Sequence, residues 1–147
     1  MKMPKDTTLN QVPALFKKVD VQGKSVIDYG CGKYDKGQQF LLEQGARKYQ
    51  GYDKFWNDVS LDISDVDLIL CANVLNVVHD YNDRLAIYVD TLTLGVPVYF
   101  SVYEGNKSGV KTSSQNNLKT QEYVDEIVQL FDNVKVVRKS NIIEVRT

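Results

Sequence analysis

The chain has 147 residues, of which 43% are hydrophobic and 25% charged, and its formal net charge is -1. This composition predicts a single domain over residues 1–147 with one core. The near-zero charge disfavours general attraction to nucleic acid, although a local basic patch is compatible with it. Two cysteines, no amino-terminal apolar run and no stretch of roughly 20 apolar residues argue against disulfides, a secretion signal and a membrane span. We therefore expect a cytoplasmic protein.

Apolar runs of strand length alternate with amphipathic stretches of helix length, which predicts an α/β domain with a mainly parallel sheet. A helix is expected to begin near Thr8 and to end before Gly23, and the first strand covers Ser25 to Tyr29. The next predicted elements are a helix, Lys36 to Gln44, and a second strand, Tyr49 to Asp53.

The second half continues the alternation up to a closing hairpin. Residues 54–66 are too few for a full crossover helix and a strand, so only a reduced third strand is expected there. The remaining predicted elements are a buried strand within Val66 to Leu75, a helix from Tyr81 to Leu92, a strand from Val96 to Val102, a helix from Leu118 to Phe131, and strands Asn133 to Arg138 and Asn141 to Arg146. The last two strands must be antiparallel because little more than Lys139 and Ser140 connects them.

The first predicted strand ends in an acid followed by a glycine-spaced turn, Asp28-Tyr29-Gly30-Cys31-Gly32. Glycines let the main chain approach a ligand closely, and this place in an α/β sheet is where nucleotide-like ligands bind. Twenty-one residues beyond Gly32, the second strand ends in Asp53, whose carboxylate suits ribose hydroxyls. Together these features predict an adenosine-binding site.

Two other nucleotide-binding motifs are incomplete. A dinucleotide fingerprint needs a glycine where this chain has Asp35, and a P-loop needs a lysine and a hydroxyl where it has Gln38 and Gln39. A nicotinamide dinucleotide and a nucleoside triphosphate are therefore disfavoured. Cys31 and Cys71 without clustered histidines are too few for a zinc site, so we expect no metal.

The order of elements, the acid-x-Gly-x-Gly turn, Asp53 and the closing hairpin resemble the class I S-adenosylmethionine-dependent methyltransferases. In that family the hairpin inserts an antiparallel strand into an otherwise parallel seven-stranded sheet. The resemblance covers Gly23 to Arg146, and Cys71 to Val78 matches the family's fourth-strand motif. It implies a Rossmann-like three-layer α/β sandwich. Ser101 to Gly105, with the loop that follows, also resembles small methyltransferase-domain proteins of phages and prophages.

The resemblance implies S-adenosylmethionine as the cofactor and a set of residues that hold it. Asp28 would hold its amino end, Asp53 the ribose hydroxyls, and Asp58 or Asp62 the adenine amino group. The other implied cofactor-binding residues follow the ends of the strands; they are Tyr29, Gly30, Cys31, Gly32, Lys54, Phe55, Cys71, Asn73 and Val74.

Three residues are candidates for the catalytic step. His79 follows the fourth-strand motif, and its neutral imidazole could take the proton of the methyl acceptor; the alternative is a residue that only starts a helix. Tyr103 and Glu104 follow the next strand, at the rim where open α/β sheets bind ligands. Lys107, Lys111 and Lys119 beyond them could contact phosphate or simply be solvated.

Two functions fit the sequence. The first is a methyltransferase that acts on a small molecule or on an exposed site of a larger partner. The chain has neither the Asn/Asp-Pro-Pro-Tyr segment of DNA methylases that modify exocyclic amino groups nor the Pro-Cys pair needed for cytosine carbon-5, so duplex DNA is disfavoured. The second is a catalytically degenerate fold that serves as a cofactor-binding or interaction module, which the small size and the reduced third-strand unit suggest.

Overall fold

The computed structural model describes residues 10–105 and 115–147. The predicted helix start at Thr8 and the lysines Lys107 and Lys111 lie outside these ranges. The described elements are β1 (Ser25–Tyr29), α1 (Lys36–Glu43), β2 (Lys48–Tyr52), β3 (Leu68–Ala72), α2 (Tyr81–Leu92), β4 (Val98–Ser101), α3 (Thr120–Leu130), β5 (Lys135–Lys139) and β6 (Ile142–Arg146), with 3-10 turns at Ala14–Lys17 and Leu75–Val77. None of the helices within these ranges is long and apolar enough to cross a membrane.

The six described strands form one sheet in the order β2-β1-β3-β4-β6-β5. The first four are parallel to one another, whereas β6 is antiparallel to both β4 and β5. Ser140, in the two-residue connection between β5 and β6, has a left-handed φ of 57°, which suits a tight hairpin. The predicted mainly parallel sheet with an antiparallel carboxyl-terminal hairpin is confirmed.

Helices cover both faces of the sheet, and apolar side chains fill the space between the layers. On one face, α1 and the first 3-10 turn pack against β1 and β3, where the buried residues include Leu15, Phe16, Val26, Leu41 and Leu70. On the other face, α2 and α3 pack against the sheet, where the buried residues include Ile27, Ile69, Tyr88, Phe100, Ile127 and Ile143. A sheet covered on both sides is the three-layer sandwich that the resemblance implies.

The segment before β1 differs from the prediction. Instead of an α-helix that ends before Gly23, its described residues form a single 3-10 turn, Ala14–Lys17. Pro13 lies immediately before this turn, and a proline inside a helix removes a hydrogen bond and clashes with the preceding turn. The short turn nevertheless buries Leu15 and Phe16, which accounts for the apolar periodicity of this stretch.

The third strand-and-helix unit is reduced further than the sequence predicts. Residues 54–67 are all described and form neither a strand nor a helix; an isolated bridge joins Asp53 to Asn57. The segment lies against β2, since the side chain of Gln50 donates to the main-chain oxygen of Asp62 at 3.0 Å and accepts from its nitrogen at 2.7 Å. As a result, the described sheet has six strands rather than the seven implied, and β2 is at its edge.

Candidate functional site

The predicted site lies at the carboxyl ends of β1, β2 and β3. These ends meet at one edge of the sheet because the strands are parallel. β1 lies between β2 and β3, so the order of winding reverses there, and open α/β sheets bind ligands at such a reversal. The glycine turn after β1, Asp53 after β2 and Asn73 after β3 are all brought to this point.

The glycine turn is anchored to the end of β2. Gly30 and Gly32 have left-handed φ angles of 86° and 74°, which glycine adopts without strain. The N–H groups of Gly30 and Cys31 donate to the main-chain oxygen of Tyr52 at 2.7 and 3.0 Å. The N–H of Gly32 donates to Oδ2 of Asp53 at 2.9 Å. The conformation of the turn therefore depends on Asp53.

Asp53 connects the two loops that border the site. It is 5% exposed, and its Oδ1 accepts hydrogen bonds from the N–H groups of Phe55 and Trp56 at 2.9 and 3.3 Å. A carboxylate can accept about four hydrogen bonds, so one acceptor site is left beyond the three main-chain donors. The residue thus fits the predicted contact with a ribose hydroxyl while it also holds both loops in place.

The absence of a side chain at Gly30 accommodates a neighbouring residue. A Cβ added to Gly30 would collide with Cγ2 of Val74, which is itself 4% exposed. A side chain at position 30 would therefore meet Val74 first. Gly30 and Val74 pack together, and both form the wall of a pocket described below.

We expect Gly30→Ala to lower the free energy of unfolding by about 2–5 kcal/mol. A left-handed φ costs alanine about 1–2 kcal/mol, and overpacking against Val74 costs about 1–3 kcal/mol more. Urea denaturation of Gly30→Ala, Val74→Ala and the double variant separates the two contributions. Gly30→Ala/Val74→Ala should regain the stability lost to overpacking but not the cost of the left-handed φ. If the losses of the two single variants simply add in the double variant, Val74 is not the obstacle.

Asp28 lies behind the glycine turn. It is 5% exposed, and its Oδ2 accepts a hydrogen bond from Oη of Tyr49 at 2.7 Å. Burial raises the pKa of Asp28 from 3.8 to about 7; the hydrogen bond from Tyr49 lowers this pKa, and the charge of Asp53 raises it. The contact of Asp28 with the amino end of the cofactor stays a prediction, since the carboxyl group is bonded to Tyr49 here.

Two cavities adjoin the site and share three lining residues, Tyr29, Tyr52 and Asp90. The first, which we call the edge pocket, has a volume of about 190 Å³ and is also lined by Gly30, Asp53, Lys54, Val74 and Ile87. The second, which we call the face groove, has a volume of about 260 Å³ and is also lined by Ile27, Val59, Leu61, Ile63, Ile69 and Leu94. The edge pocket brings together five of the predicted cofactor-binding residues: Tyr29, Gly30, Asp53, Lys54 and Val74.

Other predicted cofactor-binding residues do not line the edge pocket. Cys31 is half-buried and Cys71 fully buried, and burial raises the pKa of both thiols far enough to keep them protonated near neutral pH. Phe55 contributes its main-chain N–H, and Asn73 adopts a left-handed φ of 57°. Within residues 10–105 and 115–147, no group of three or more His, Cys, Asp or Glu residues could hold a metal ion.

The predicted contact of Asp62 with the adenine stays a prediction. Its carboxylate binds Nζ of Lys48 at 2.8 Å, at the amino end of the five-residue strand β2. The side-chain amide of Gln50, in the middle of β2, also binds the main chain of Asp62. For Asp58, the alternative, burial first and then the charge of Asp58 raise the pKa of Tyr52, which lines the edge pocket.

The predicted catalytic residues make contacts that also give two of them structural roles. Nδ1 of His79 shares a short hydrogen bond with Oδ1 of Asn116. Glu104 accepts hydrogen bonds from the N–H and Oγ1 of Thr120 at 2.7 and 2.9 Å, and these bonds at the start of α3 lower its pKa. Tyr103, after β4, is 54% exposed. The catalytic roles of all three stay predictions.

Three residues of the site were missed in the sequence. Tyr49 and Tyr52 lie in the second predicted strand. Side chains alternate between the two faces of a strand, so this alternation predicts one tyrosine on each face of the sheet beside the site. Asp90, on α2, has no such signal. Oη of Tyr29 donates to Oδ2 of Asp90 at 2.8 Å, across 61 positions of sequence.

Comparison with solved structures identifies the class of fold. The structure resembles an S-adenosylmethionine-dependent methyltransferase from Mesorhizobium loti, with 12% identity and a TM-score of 0.54 over 89% of this chain and 94% of the other. It resembles magnesium protoporphyrin IX methyltransferase from Synechocystis, which has S-adenosylhomocysteine bound, with 15% identity and a TM-score of 0.52 over 90% and 78%. A methyltransferase from Aquifex aeolicus gives 13% identity and a TM-score of 0.50 over 89% and 85%.

The chain therefore has the fold of S-adenosylmethionine-dependent methyltransferases, as the sequence predicts. At these identities the likeness shows the fold alone. Neither a protein-family model nor a curated protein matches the sequence. The resemblance to phage and prophage proteins stays a prediction.

Proposed function

We propose that this protein binds S-adenosylmethionine in the edge pocket and transfers its methyl group to an acceptor. The observation that carries the proposal is the edge pocket itself, which joins Gly30, Asp53 and Val74 from the ends of three strands. The fold, shared with methyltransferases, supports the same cofactor. Asp53 would bind a ribose hydroxyl with its remaining acceptor site, and Lys54 would flank the cofactor.

Methyl transfer places modest demands on the residues of this pocket. When bound, the cofactor supplies a methyl group already activated by its sulfonium. The protein must then hold the acceptor in line and exclude water. Val74 and Ile87 provide apolar walls, and the main-chain bonds from the turn to Tyr52 and Asp53 fix the pocket's shape.

For the acceptor, we propose a small molecule or an exposed site on a macromolecule. A net charge of -1 gives no general attraction to nucleic acid. Tyr103, exposed after β4, is placed where an acceptor could contact the rim. We also propose a cytoplasmic location, which is consistent with two free cysteines.

Calorimetric titration with S-adenosylmethionine and S-adenosylhomocysteine tests cofactor binding. The wild type should bind at least one of them, and no heat of binding at millimolar ligand would reject the proposal. Asp53→Ala should weaken binding by about 10- to 100-fold, because it removes a charged hydrogen-bond acceptor and the anchor of the turn. Asp132→Ala, at an exposed carboxylate after α3, is the matched control and should bind as the wild type does.

The alternative is a cofactor-binding module without catalytic activity. The fold neighbours do not favour it; it rests on the contacts of His79 with Asn116 and of Glu104 with Thr120, which engage two of the candidate catalytic residues. Incubation with methyl-labelled cofactor and fractionated cell extract separates the two functions. A labelled product that Asp53→Ala abolishes supports the enzyme, whereas cofactor binding without transfer in any fraction supports the module.

A further inference from the structure

The face groove lies between the sheet and the segment that stands in place of the third-strand unit. Ile27 and Ile69 of the sheet line one side of it, and residues 54–67, which contain no helix, border the other. Three residues at alternate positions of this segment line the groove: Val59, Leu61 and Ile63. Val59 and Ile63 are 48% and 62% exposed. Exposed apolar surface of this kind is typical of a groove that binds a ligand.

Tyr29, Tyr52 and Asp90 form the wall between the groove and the edge pocket. Oη of Tyr29 donates to Oδ2 of Asp90 at 2.8 Å. The rings of Tyr29 and Tyr52 have centroids 5.2 Å apart and an interplanar angle of 34°. These contacts separate the two cavities, which the three residues line from opposite sides. The groove is therefore a second cavity and not an extension of the edge pocket.

Asp90 gives this apolar groove a negative charge. It is the single charged residue among the described residues that line the groove, and it forms no ion pair with any of them or with the rest of the described chain. Burial, followed by the hydrogen bond to Asp90, raises the pKa of Tyr29, so its phenol keeps the proton that it donates to Oδ2. No described residue donates to the other oxygen, Oδ1, which is left to a ligand.

A carboxylate beside aromatic rings in an apolar groove suits a cation with an apolar body. An ammonium group donates strong hydrogen bonds to a carboxylate and is attracted to the faces of aromatic rings. Burial, followed by the charges of Asp58 and Asp90, raises the pKa of Tyr52, so both carboxylates act on this ring. An anionic ligand would be repelled here, and a neutral ligand would gain less from Asp90.

The volume of the groove limits the size of its ligand. An apolar cavity of about 150 Å³ binds benzene, whereas the pockets of complete drug-sized ligands are typically about 300–1,000 Å³. At about 260 Å³ the groove has room for one ring with a short chain. Leu61 and Leu94 provide apolar surface for the ring, and Asp90 is at the protein surface, where an ammonium group reaches it from solvent.

We propose that the face groove binds a small organic amine, whose ammonium group is bound by Asp90 and whose apolar ring packs between the sheet and Leu61. This inference goes beyond the proposed function, because the ligand is not the cofactor and does not enter the edge pocket. It can therefore be tested on the protein without cofactor, and its outcome is independent of whether the edge pocket binds S-adenosylmethionine.

The test compares 2-phenylethylamine with 2-phenylethanol, which replaces the ammonium group by a hydroxyl, in NMR titrations of the full chain. The wild type should bind the amine about tenfold more tightly, the typical effect of a charge-assisted hydrogen bond. Asp90→Asn should reduce this preference to less than twofold and leave the affinity for the alcohol unchanged. Asp125→Asn, which removes an exposed carboxylate from α3, should keep the preference.

A second variant, Ile63→Trp, adds bulk at an exposed lining position and should weaken binding of both ligands at least about fivefold. With the wild type, both ligands should shift the main-chain amide signals of Leu61 and Ile63. Equal affinity for amine and alcohol, an unchanged preference in Asp90→Asn, or shifts confined to residues outside the groove would overturn the inference. Tighter binding of Nα-acetyl-lysine methylamide than of 2-phenylethylamine would also overturn it, because the site would then suit a polypeptide side chain. Circular dichroism spectra establish that each variant is folded.

Discussion

Replacing Arg84 with methionine should lower the free energy of unfolding by about 3 kcal/mol, because it leaves the largely buried carboxylate of Glu126 without its cation. The side chains of Arg84 and Glu126 are 7% and 14% exposed. The guanidinium donates to both carboxylate oxygens, at 3.0 and 2.6 Å. It also donates to the main-chain oxygens of Val78 and His79 at 2.9 and 3.1 Å. The variant should therefore also loosen the segment that leads into α2.

Arg47 provides a matched control on the surface. It also donates two hydrogen bonds to one carboxylate, that of Asp65, at 2.9 and 2.8 Å, but these side chains are 50% and 43% exposed. Arg47→Met should cost less than about 1 kcal/mol. Urea denaturation at neutral pH measures both losses, and Arg84→Met/Glu126→Leu should recover part of the larger one. Similar losses at Arg84 and Arg47 would show that burial does not set the cost.

Asp28 should make the folded protein less stable as the pH rises. Its pKa is about 7 in the folded protein and 3.8 ordinarily, so between these values the folded state holds a proton that the unfolded state has released. The resulting stabilisation is fully present below about pH 4 and is lost as the pH rises through 7. At about 1.4 kcal/mol for each pKa unit it amounts to roughly 4 kcal/mol, of which about 2–3 kcal/mol is lost between pH 5 and pH 8.

Asp28→Asn isolates this effect, because asparagine is neutral at every pH and its Oδ1 can still accept the Tyr49 hydroxyl. Urea denaturation at pH 5 and pH 8 should show a smaller loss of stability in Asp28→Asn than in the wild type, by those 2–3 kcal/mol. Asp132→Asn should change with pH as the wild type does. Tyr49→Phe removes a hydrogen bond that lowers the pKa of Asp28. The free energy of unfolding of this variant should therefore continue to fall at higher pH than that of the wild type. Equal pH dependence in Asp28→Asn and the wild type would contradict the assignment.

Most of the fold could be predicted because its signals are local. The apolar run around Leu68–Ala72 marks a strand whatever it packs against. Gly45 and Gly95, with left-handed φ angles of 94° and 75°, lie just beyond α1 and α2, where glycine commonly ends a helix. Apolar periodicity predicts an opening helix, but Pro13 disfavours an α-helix across this stretch, and the described residues form only a 3-10 turn. The path of residues 54–67 depends on hydrogen bonds between polar side chains and main chain, which have no periodic pattern.

The site could be predicted in position but not in its contacts. Gly30, Asp53 and Val74 follow strand ends, and parallel strands bring their ends together. The partners of these residues are set by tertiary structure. Tyr49 reaches Asp28 across 21 positions of sequence, and no single-sequence pattern identifies such a pair. Sequence reasoning could therefore bring these residues to one edge of the sheet but could not assign their contacts, and the choice between Asp58 and Asp62 stays a prediction.

The loss of a third strand has a consequence for association between chains. β2 ends the sheet, and the unpaired main-chain groups of such a strand are a template for another molecule. Here Nδ2 of Asn57 donates to the main-chain oxygen of Gly51 at 2.7 Å, and the amide of Gln50 binds the main chain of Asp62. Asn57 thus occupies one main-chain acceptor of β2, and Gln50 holds the 54–67 segment beside the strand. Both contacts disfavour edge-to-edge pairing with another chain.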